Sequence, residues 1–309
     1  KPKYNMYNLE GYDFCELNSK HPVFAFRKFV KLHKPDLVLT MAVPLCVFTV
    51  PALMGLKVKH VISERNDPAH FAGKTSTRII ARTLMRLADG YVFQTHDAQA
   101  FYNSRIVKKS RVIHNPLWSL PSSEMKVGED KRIVSVGRLN KQKNQALLIE
   151  AFAELSKEYP DFTLTIYGEG LEREKLQKMI NGYNLQHKAL LPGSTNRVLE
   201  MINTASLFVL SSNFEGMPNA LMEAMSLGLP CISTDCPCGG PRELIENLKN
   251  GVLVPVGDKN ALISAMKFML DHTETAREMG RDAMTIRESH SMDRICRQWL
   301  DYFVTLINE

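Results

Sequence analysis

Two glutamates eight residues apart, Glu215 and Glu223, bracket the most chemically suggestive stretch of the sequence, Ser211–Ala224. A strand ends there in a polar loop, and Gly216 and Pro218 open a helix, proline being suited to a helix's first turn. Free backbone amides at such a start attract anions. At 1.5 Å per residue the two carboxylates stand roughly 12 Å apart, an upper figure because the first part is loop. Glycosidase carboxylates sit ~5–5.5 Å apart, or ~6.5–9.5 Å in inverting enzymes, so this pair is not one acid–base couple. It suits an elongated ligand with hydroxyls at both ends and negative charge between, as in a nucleoside diphosphate sugar. Taken alone, the stretch reads more simply as a capped surface helix with two solvated glutamates.

It does not stand alone. Ser135–Asn144 follows another strand and places Arg138 and Lys143 at a strand-to-helix loop, where cations can meet a diphosphate or simply face solvent. Tyr167-Gly168-Glu169-Gly170 makes a further tight turn but lacks the third glycine of a dinucleotide fingerprint.

The elements that must position these residues follow from the apolar pattern. In the first half, strands are expected at 35–40, 58–63, 90–95 and 111–114, with helical stretches between them. One of these, Ser76–Ala88, carries Ile79, Ile80, Leu84 and Leu87 on one face. The polar run Trp118–Asp130 reads as a linker. A second alternation then starts, with strands at 132–136, 162–167, 189–191, 207–210, 230–233 and 251–254. Helices are expected at 144–159, 171–182, 196–203, 218–227, 240–246 and 260–272, and a last apolar helix at 291–306. The alternation predicts α/β architecture, two Rossmann-like domains with parallel sheets facing an inter-domain cleft, where ligands bind outside the carboxyl ends of the strands. The expected units are 1–129, 130–290 and a terminal helix, 291–309, packing back on the first domain.

Composition narrows the class. The 309 residues are 44% hydrophobic and 23% charged, which excludes a disordered, collagenous or coiled-coil chain. No apolar run reaches ~18 residues and no leader is visible, so a cytoplasmic protein is expected. Six cysteines point to a reducing compartment, and the Cys231, Cys236 and Cys238 cluster lacks zinc spacing. Residues 1–129 hold 19 Lys+Arg against 10 Asp+Glu, and 130–309 hold 20 against 23. The basic half suggests an anionic partner, a membrane surface or a diphosphate-bearing substrate, or plain solvated surface. Phe24, Phe26 and Phe29 on a basic helix read as core packing or as a membrane-facing patch. No nucleic-acid partner is expected. Among the scattered histidines, His70 and His96 follow strands.

In order, Gly137-Arg138-Leu139 with Lys143, Tyr167–Gly170, Leu191-Pro192-Gly193, Glu215…Glu223, Gly239-Gly240-Pro241-Arg242-Glu243 and Gly251–Val254 resemble retaining glycosyltransferase family four, with the GT-B fold. The resemblance covers nearly all of 130–309. Over 1–129 it is looser, carried by Pro35–Val38, Ser63-Glu64-Arg65-Asn66-Asp67 and Ile113–Pro116. It extends to enzymes of bacterial surface-polysaccharide and O-antigen synthesis.

The resemblance implies that Arg138 and Lys143 hold the donor diphosphate and that Glu215 meets donor-sugar hydroxyls. It also implies donor contacts at Gly137, Gly168, Gly193, Gly216, Met217, Pro218 and Asn219, and ribose binding at Glu223. Pro218 has no N–H and contributes only shape. Glu64, Arg65 and Asn66 fall on the acceptor side, Arg65 where many members place a histidine. No Asp-x-Asp occurs, so no cofactor and no metal held by that motif is expected, and protein cations take its place. The expected donor is a UDP-sugar, UDP-GalNAc by first choice. The expected acceptor is a lipid-linked saccharide, polyprenyl-diphosphate in type, reached from the inner face of the membrane with peripheral contact to anionic lipid. The family's glycine-rich opening turn has no counterpart after Lys1-Pro2-Lys3, which suggests a truncated start or a lost segment. Two other readings stay open, a UDP-sugar epimerase of the same fold and a non-catalytic nucleotide-sugar-binding protein.

Overall fold

The structure, a computed structural model, describes residues 17, 19–70, 74–118 and 127–309. The start of the chain at Lys1 and most of the expected linker, 119–126, lie outside the described residues. In the first unit the order is α1 (Pro22–His33), β1 (Leu37–Met41), α2 (Cys46–Leu53), β2 (Lys59–Ser63), α3 (Thr75–Leu84), β3 (Gly90–Phe93), α4 (His96–Ala100), α5 (Ser104–Lys108) and β4 (Ser110–Val112). The second begins with β5 (Asp130–Val136), α6 (Gln145–Glu158), β6 (Thr163–Tyr167), α7 (Arg173–Gly182), β7 (Ala189–Gly193), α8 (Val198–Ile202), β8 (Ala205–Leu210) and α9 (Asn219–Ser226). It continues through β9 (Cys231–Thr234), α10 (Gly240–Leu244), β10 (Val252–Val254), α11 (Lys259–Asp271), α12 (Thr273–Ala283), α13 (Ile286–Ser289) and α14 (Met292–Asn308).

The strands form two all-parallel sheets, in the orders β1-β2-β3-β4 and β10-β9-β8-β5-β6-β7. Parallel strands need helical crossovers, and with both faces covered they become continuous apolar runs. Accordingly β3 and β8 are buried almost throughout. Alternate side chains of the first sheet enter different cores. Ile62, Tyr91 and Phe93 pack with α2 and α3, while Val61, Val92 and Ile113 pack with Ile295, Tyr302 and Leu306 of α14.

The last helix thus leaves the second unit and closes the first. Tyr302 pins it, its Oη accepting from Tyr91 N at 2.9 Å and donating to the Lys109 carbonyl at 2.7 Å. Gly90 makes room, since a Cβ there would lie 2.3 Å from that Oη. The chain therefore crosses between the units twice, and Leu117 N donates to the His290 carbonyl at 2.8 Å where the crossings meet.

Two expectations differ. The helix expected at Ser76–Ala88 forms, but the stripe expected on one face divides: Leu84 packs on the core with buried Ala81, Met85 and Ala88, while Ile79, Ile80 and Leu87 face out. The strand expected over 90–95 stops at Phe93, and Gln94 and Thr95 turn toward the second unit. The run Val43–Met54, apolar but broken by prolines, becomes a short 3-10 turn and α2 with Pro51 inside it. Among the described residues no helix is long and apolar enough to cross a membrane.

Candidate active site

The expected donor residues converge at the carboxyl ends of β5, β6, β7 and β8. Gly137, Gly168 and Gly193 follow or end three neighbouring strands and are laced together. Gly137 N donates to the Tyr167 carbonyl at 2.9 Å and Gly168 N to the Gly193 carbonyl at 2.8 Å. Only glycine fits at 168, where φ is +148° and a Cβ would lie 1.9 Å from the Gly137 oxygen.

Two loops zip together beside it. Asn213 N donates to the Gln142 carbonyl at 2.7 Å, and Asn213 Nδ2 to the Lys141 carbonyl at 2.8 Å. The zipper sets Lys143 Nζ 2.6 Å from Glu215 Oε1, which also accepts from Ser212 Oγ at 2.6 Å. Gln142 Nε2 lies 3.4 Å from Glu215 Oε2, 3.4 Å from Asn66 Oδ1 and 3.0 Å from the Phe214 carbonyl. The Glu215 main chain is fixed from behind, its N–H donating to the Pro237 carbonyl and its carbonyl accepting from Cys238 N. Arg138, by contrast, is exposed and its guanidinium has no partner among the described residues.

Pro218 precedes α9, and no side chain caps that helix. Its first amides therefore keep their capacity for an anion. One turn on, the Glu223 carboxylate is half-buried without a hydrogen-bond partner among the described residues, and burial pushes its pKa up. Both oxygens keep their capacity to accept from hydroxyl donors.

The first unit reaches this loop from three strand ends. Asn115, after β4, donates to Asn219 Oδ1 at 2.6 Å and the Met217 carbonyl at 3.4 Å, and its Oδ1 accepts from Arg65 and from Gln94 Nε2. Gln94, after β3, accepts from the Met217 amide at 3.2 Å. Gly216 permits the approach, as a Cβ there would lie 2.4 Å from Gln94 Oε1. Burial pulls the Arg65 guanidinium down to about 10, so it stays a cation at neutral pH.

Two expected contacts are not made as anticipated. Met217 is packed in the second unit's core and its amide is taken by Gln94, so it shapes the loop from behind. Glu64 turns back into the first unit, Oε1 accepting from Arg65 N at 3.1 Å and Oε2 from Tyr102 Oη at 3.2 Å. Burial there lifts its pKa to about 7. Asn66 stays at the cleft beside Gln142.

Several participants were given no role by the sequence. Gln94, Asn115 and Gln142 are neutral amides; the first two stand at the carboxyl ends of parallel strands, and Asn115 lies in the Ile113–Pro116 stretch that carries part of the resemblance. His70 stacks on Phe214, with centroids 3.9 Å apart. Glu243 takes His96 Nδ1 at 2.8 Å and faces His114 Nε2 at 3.5 Å, while His114 stacks on His290. Hydrogen bonds from these groups hold the Glu243 carboxyl at about 2 against the opposing effect of burial.

Residues 118–285, more than half the chain, match the family of glycosyl transferases group 1. An uncharacterized glycosyltransferase of Haemophilus influenzae is 26% identical over 88% of this chain and 77% of its own length. The N-acetylgalactosamine-N,N'-diacetylbacillosaminyl-diphospho-undecaprenol 4-alpha-N-acetylgalactosaminyltransferase of Campylobacter jejuni is 35% identical over 57% of this chain, which spans 47% of that protein. The crystal structure of Anabaena HepE in complex with UDP-glucose superimposes with a TM-score of 0.81 at 19% identity, covering 92% of this chain and 82% of HepE. With its two parallel-sheet units and the strand-end site between them, the chain belongs to the group 1 glycosyl transferases and has the GT-B fold.

Proposed function

We propose that the protein transfers a hexose or N-acetylhexosamine from a UDP-sugar to a lipid-linked saccharide in bacterial surface-glycan synthesis, with retention of anomeric configuration. GalNAc is the sugar we favour, a choice supported by the Campylobacter relative's activity. The observation that carries the reading is the division of charge around α9: free Arg138 and paired Lys143 on one side, an uncapped helix start in the middle, and unpartnered Glu223 beyond.

In this reading Arg138, Lys143 and the α9 amides stabilise charge developing on the departing diphosphate. Glu215 accepts hydrogen bonds from the donor sugar, and Glu223 from the ribose. The acceptor hydroxyl attacks the anomeric carbon on the face the diphosphate leaves, the C–O bond to phosphate breaks, and the diphosphate oxygen takes the hydroxyl proton. Protein cations do the work a metal would otherwise do. An open groove of ≈ 400 Å³ between the units, lined by Asp67, His70, Asp97 and Arg242 together with the apolar Ala69 and Phe101, is where the acceptor is placed in this reading.

Calorimetric titration with UDP, GDP, ADP and UDP-GalNAc tests the reading. UDP binds, GDP and ADP do not, UDP-GalNAc binds more tightly than UDP, and Glu223→Ala weakens UDP at least about tenfold. Equal binding of all three nucleotides, or an unaffected Glu223→Ala variant, sinks it.

A further inference from the structure

The chain passes between the units at two places that lie side by side, and a histidine marks each. His114 stands just before Leu117 on the outgoing crossing, and His290 lies on the returning one, where its carbonyl accepts from Leu117 N. A few residues at such a point absorb the rotation of one unit against the other. The two imidazoles stack there, with centroids 5.0 Å apart and planes within 7°, and His114 Nδ1 lies 3.1 Å from His290 Nε2. His290 Nδ1 in turn lies 2.9 Å from Ser289 Oγ, which donates to the Thr285 carbonyl at 3.2 Å. The other end of this row faces across the units. Glu243 of α10 holds Oε2 3.5 Å from His114 Nε2, a buried ring nitrogen with no hydrogen-bond partner among the described residues. Glu243 Oε1 accepts from His96 N at 2.7 Å and stands 2.8 Å from His96 Nδ1.

Histidine is the side chain that changes charge between about pH 5 and 8, and this row has a place for one proton more. With hydrogens on both nitrogens of His114, Nε2–H points at Glu243 and Nδ1–H donates to His290 Nε2, while His290 donates from Nδ1 to Ser289. The stacked rings hold one charge between them, because a second would sit 3.1 Å from the first. His290 is the ring that stays neutral, since burial, with the charges of His114 and Arg294, holds it down at about 4. Despite burial, the imidazoles around Glu243 hold it at about 2, so it is an anion throughout. The other charged groups here add little. His96 is 72% exposed and screened by solvent, Arg242 is taken by Asp235 at 2.8 Å and Asp97 at 3.4 Å, and Arg65 is turned to Asn115. A charge on His114 is therefore matched by Glu243 only while the two units are together.

We infer that His114 is a proton sensor at the hinge: its charged form draws Glu243 across and holds the units together, and its neutral form lets them part. Closure is what brings Asn66, Gln94 and Asn115 onto the loop of Glu215–Asn219, so acid favours assembly of the site and alkali weakens it. This holds whatever donor or acceptor the site takes, and its test needs neither. Small-angle scattering of the full chain without ligand is followed from about pH 5.5 to about pH 8.5. The radius of gyration, about 19 Å for a compact chain of this length, rises with pH by about 1 Å. The ratio of closed to open molecules falls at least about fivefold. His114→Asn and Glu243→Gln abolish the response, and His187→Gln, at an exposed loop position, keeps it. Glu64→Gln keeps it too, although burial raises Glu64 to about 7, into the same range. If His114→Asn does not fold, Glu243→Gln, which preserves size and hydrogen bonding, decides. Nitrogen-15 NMR of the histidine rings reads the sensor itself, with His114 gaining charge in acid while His290 stays neutral. A radius independent of pH, a response that survives in Glu243→Gln, one that disappears in Glu64→Gln, or a charge that settles on His290 overturns the inference.

Discussion

Replacing Lys143 by methionine isolates the interaction on which the site is built. The Lys143 and Glu215 side chains are 14% and 6% exposed and meet at 2.6 Å. Removing one partner of such a pair typically costs about 3–5 kcal/mol, because the other charge is left desolvated. Here Ser212 still donates to Glu215 at 2.6 Å and Gln142 lies within 3.4 Å, so the expected cost is smaller, about 2–4 kcal/mol. For a protein of this size that lowers the melting temperature by about 3–6 °C. The companion variant Lys143→Met/Glu215→Gln removes the stranded charge and recovers most of the loss. Urea unfolding of the parent, both single variants and the double variant closes the cycle, with a coupling of about 2 kcal/mol expected. Sugar transfer fails in all three variants, so stability and not activity is the discriminating readout. Additivity within about 0.5 kcal/mol would show that the pair contributes nothing as a pair and would refute the reasoning.

Three further outcomes are expected. Glu64, raised by burial to about 7 in the fold, favours the protonated form, so its contribution is complete below its unfolded value and is lost as pH rises through 7. Burial holds His60 and His290 down at about 4, and their contribution is lost as pH falls from 6.5 toward 4, so the Glu64 effect is read as a difference: between about pH 4.5 and 7 urea unfolding shows the parent losing up to about 3 kcal/mol relative to Glu64→Gln, with no further divergence above pH 7. Asn115→Ala breaks the junction to Asn219, Met217, Arg65 and Gln94, so small-angle scattering shows a larger radius of gyration without donor, and an unchanged radius counts against Asn115 as the link between units. Glu223→Ala, which removes a half-buried carboxylate without a partner and places a better helix former in α9, keeps stability within about 0.5 kcal/mol of the parent or above it, and a larger loss by thermal melting means that Glu223 has a structural partner.

The second unit was nearly all legible because its chemistry is local. Gly137, Arg138 and Lys143 sit within one strand-to-helix loop, as do Glu215, Gly216 and Pro218, and hydrophobic alternation locates both loops at strand ends. What brings the two loops together is not local. Nothing in the sequence pairs Lys143 with Glu215, or aims Gln142 at both Glu215 and Asn66. The first unit was harder for a different reason. The period of α3 identifies an apolar stripe but not what it faces: Leu84 turns to the core and Ile79, Ile80 and Leu87 to the outside. The roles of Gln94 and of Asn115, though the latter lies in the quoted Ile113–Pro116 stretch, were not legible because an amide has no charge and no titration to betray it; only its position at a strand end and its partners across the cleft do.

The Lys143–Glu215 pair also bears on how a donor binds under the function proposed above. In the structure the cation proposed for the diphosphate and the carboxylate proposed for the sugar pair with each other. A bare nucleoside diphosphate that draws Lys143 away leaves Glu215 buried with only Ser212 and Gln142 as donors. A sugar moiety attached to the same diphosphate supplies the missing hydroxyls, so separation of the pair is compensated at both ends. The sugar then adds more to affinity than its own hydrogen bonds, because it also removes the desolvation cost that the nucleotide alone incurs. This extra selection for the complete donor over its product nucleotide follows from the Lys143–Glu215 pairing, and it is lost in Glu215→Gln, where separation strands no charge and only the sugar's own hydrogen bonds remain.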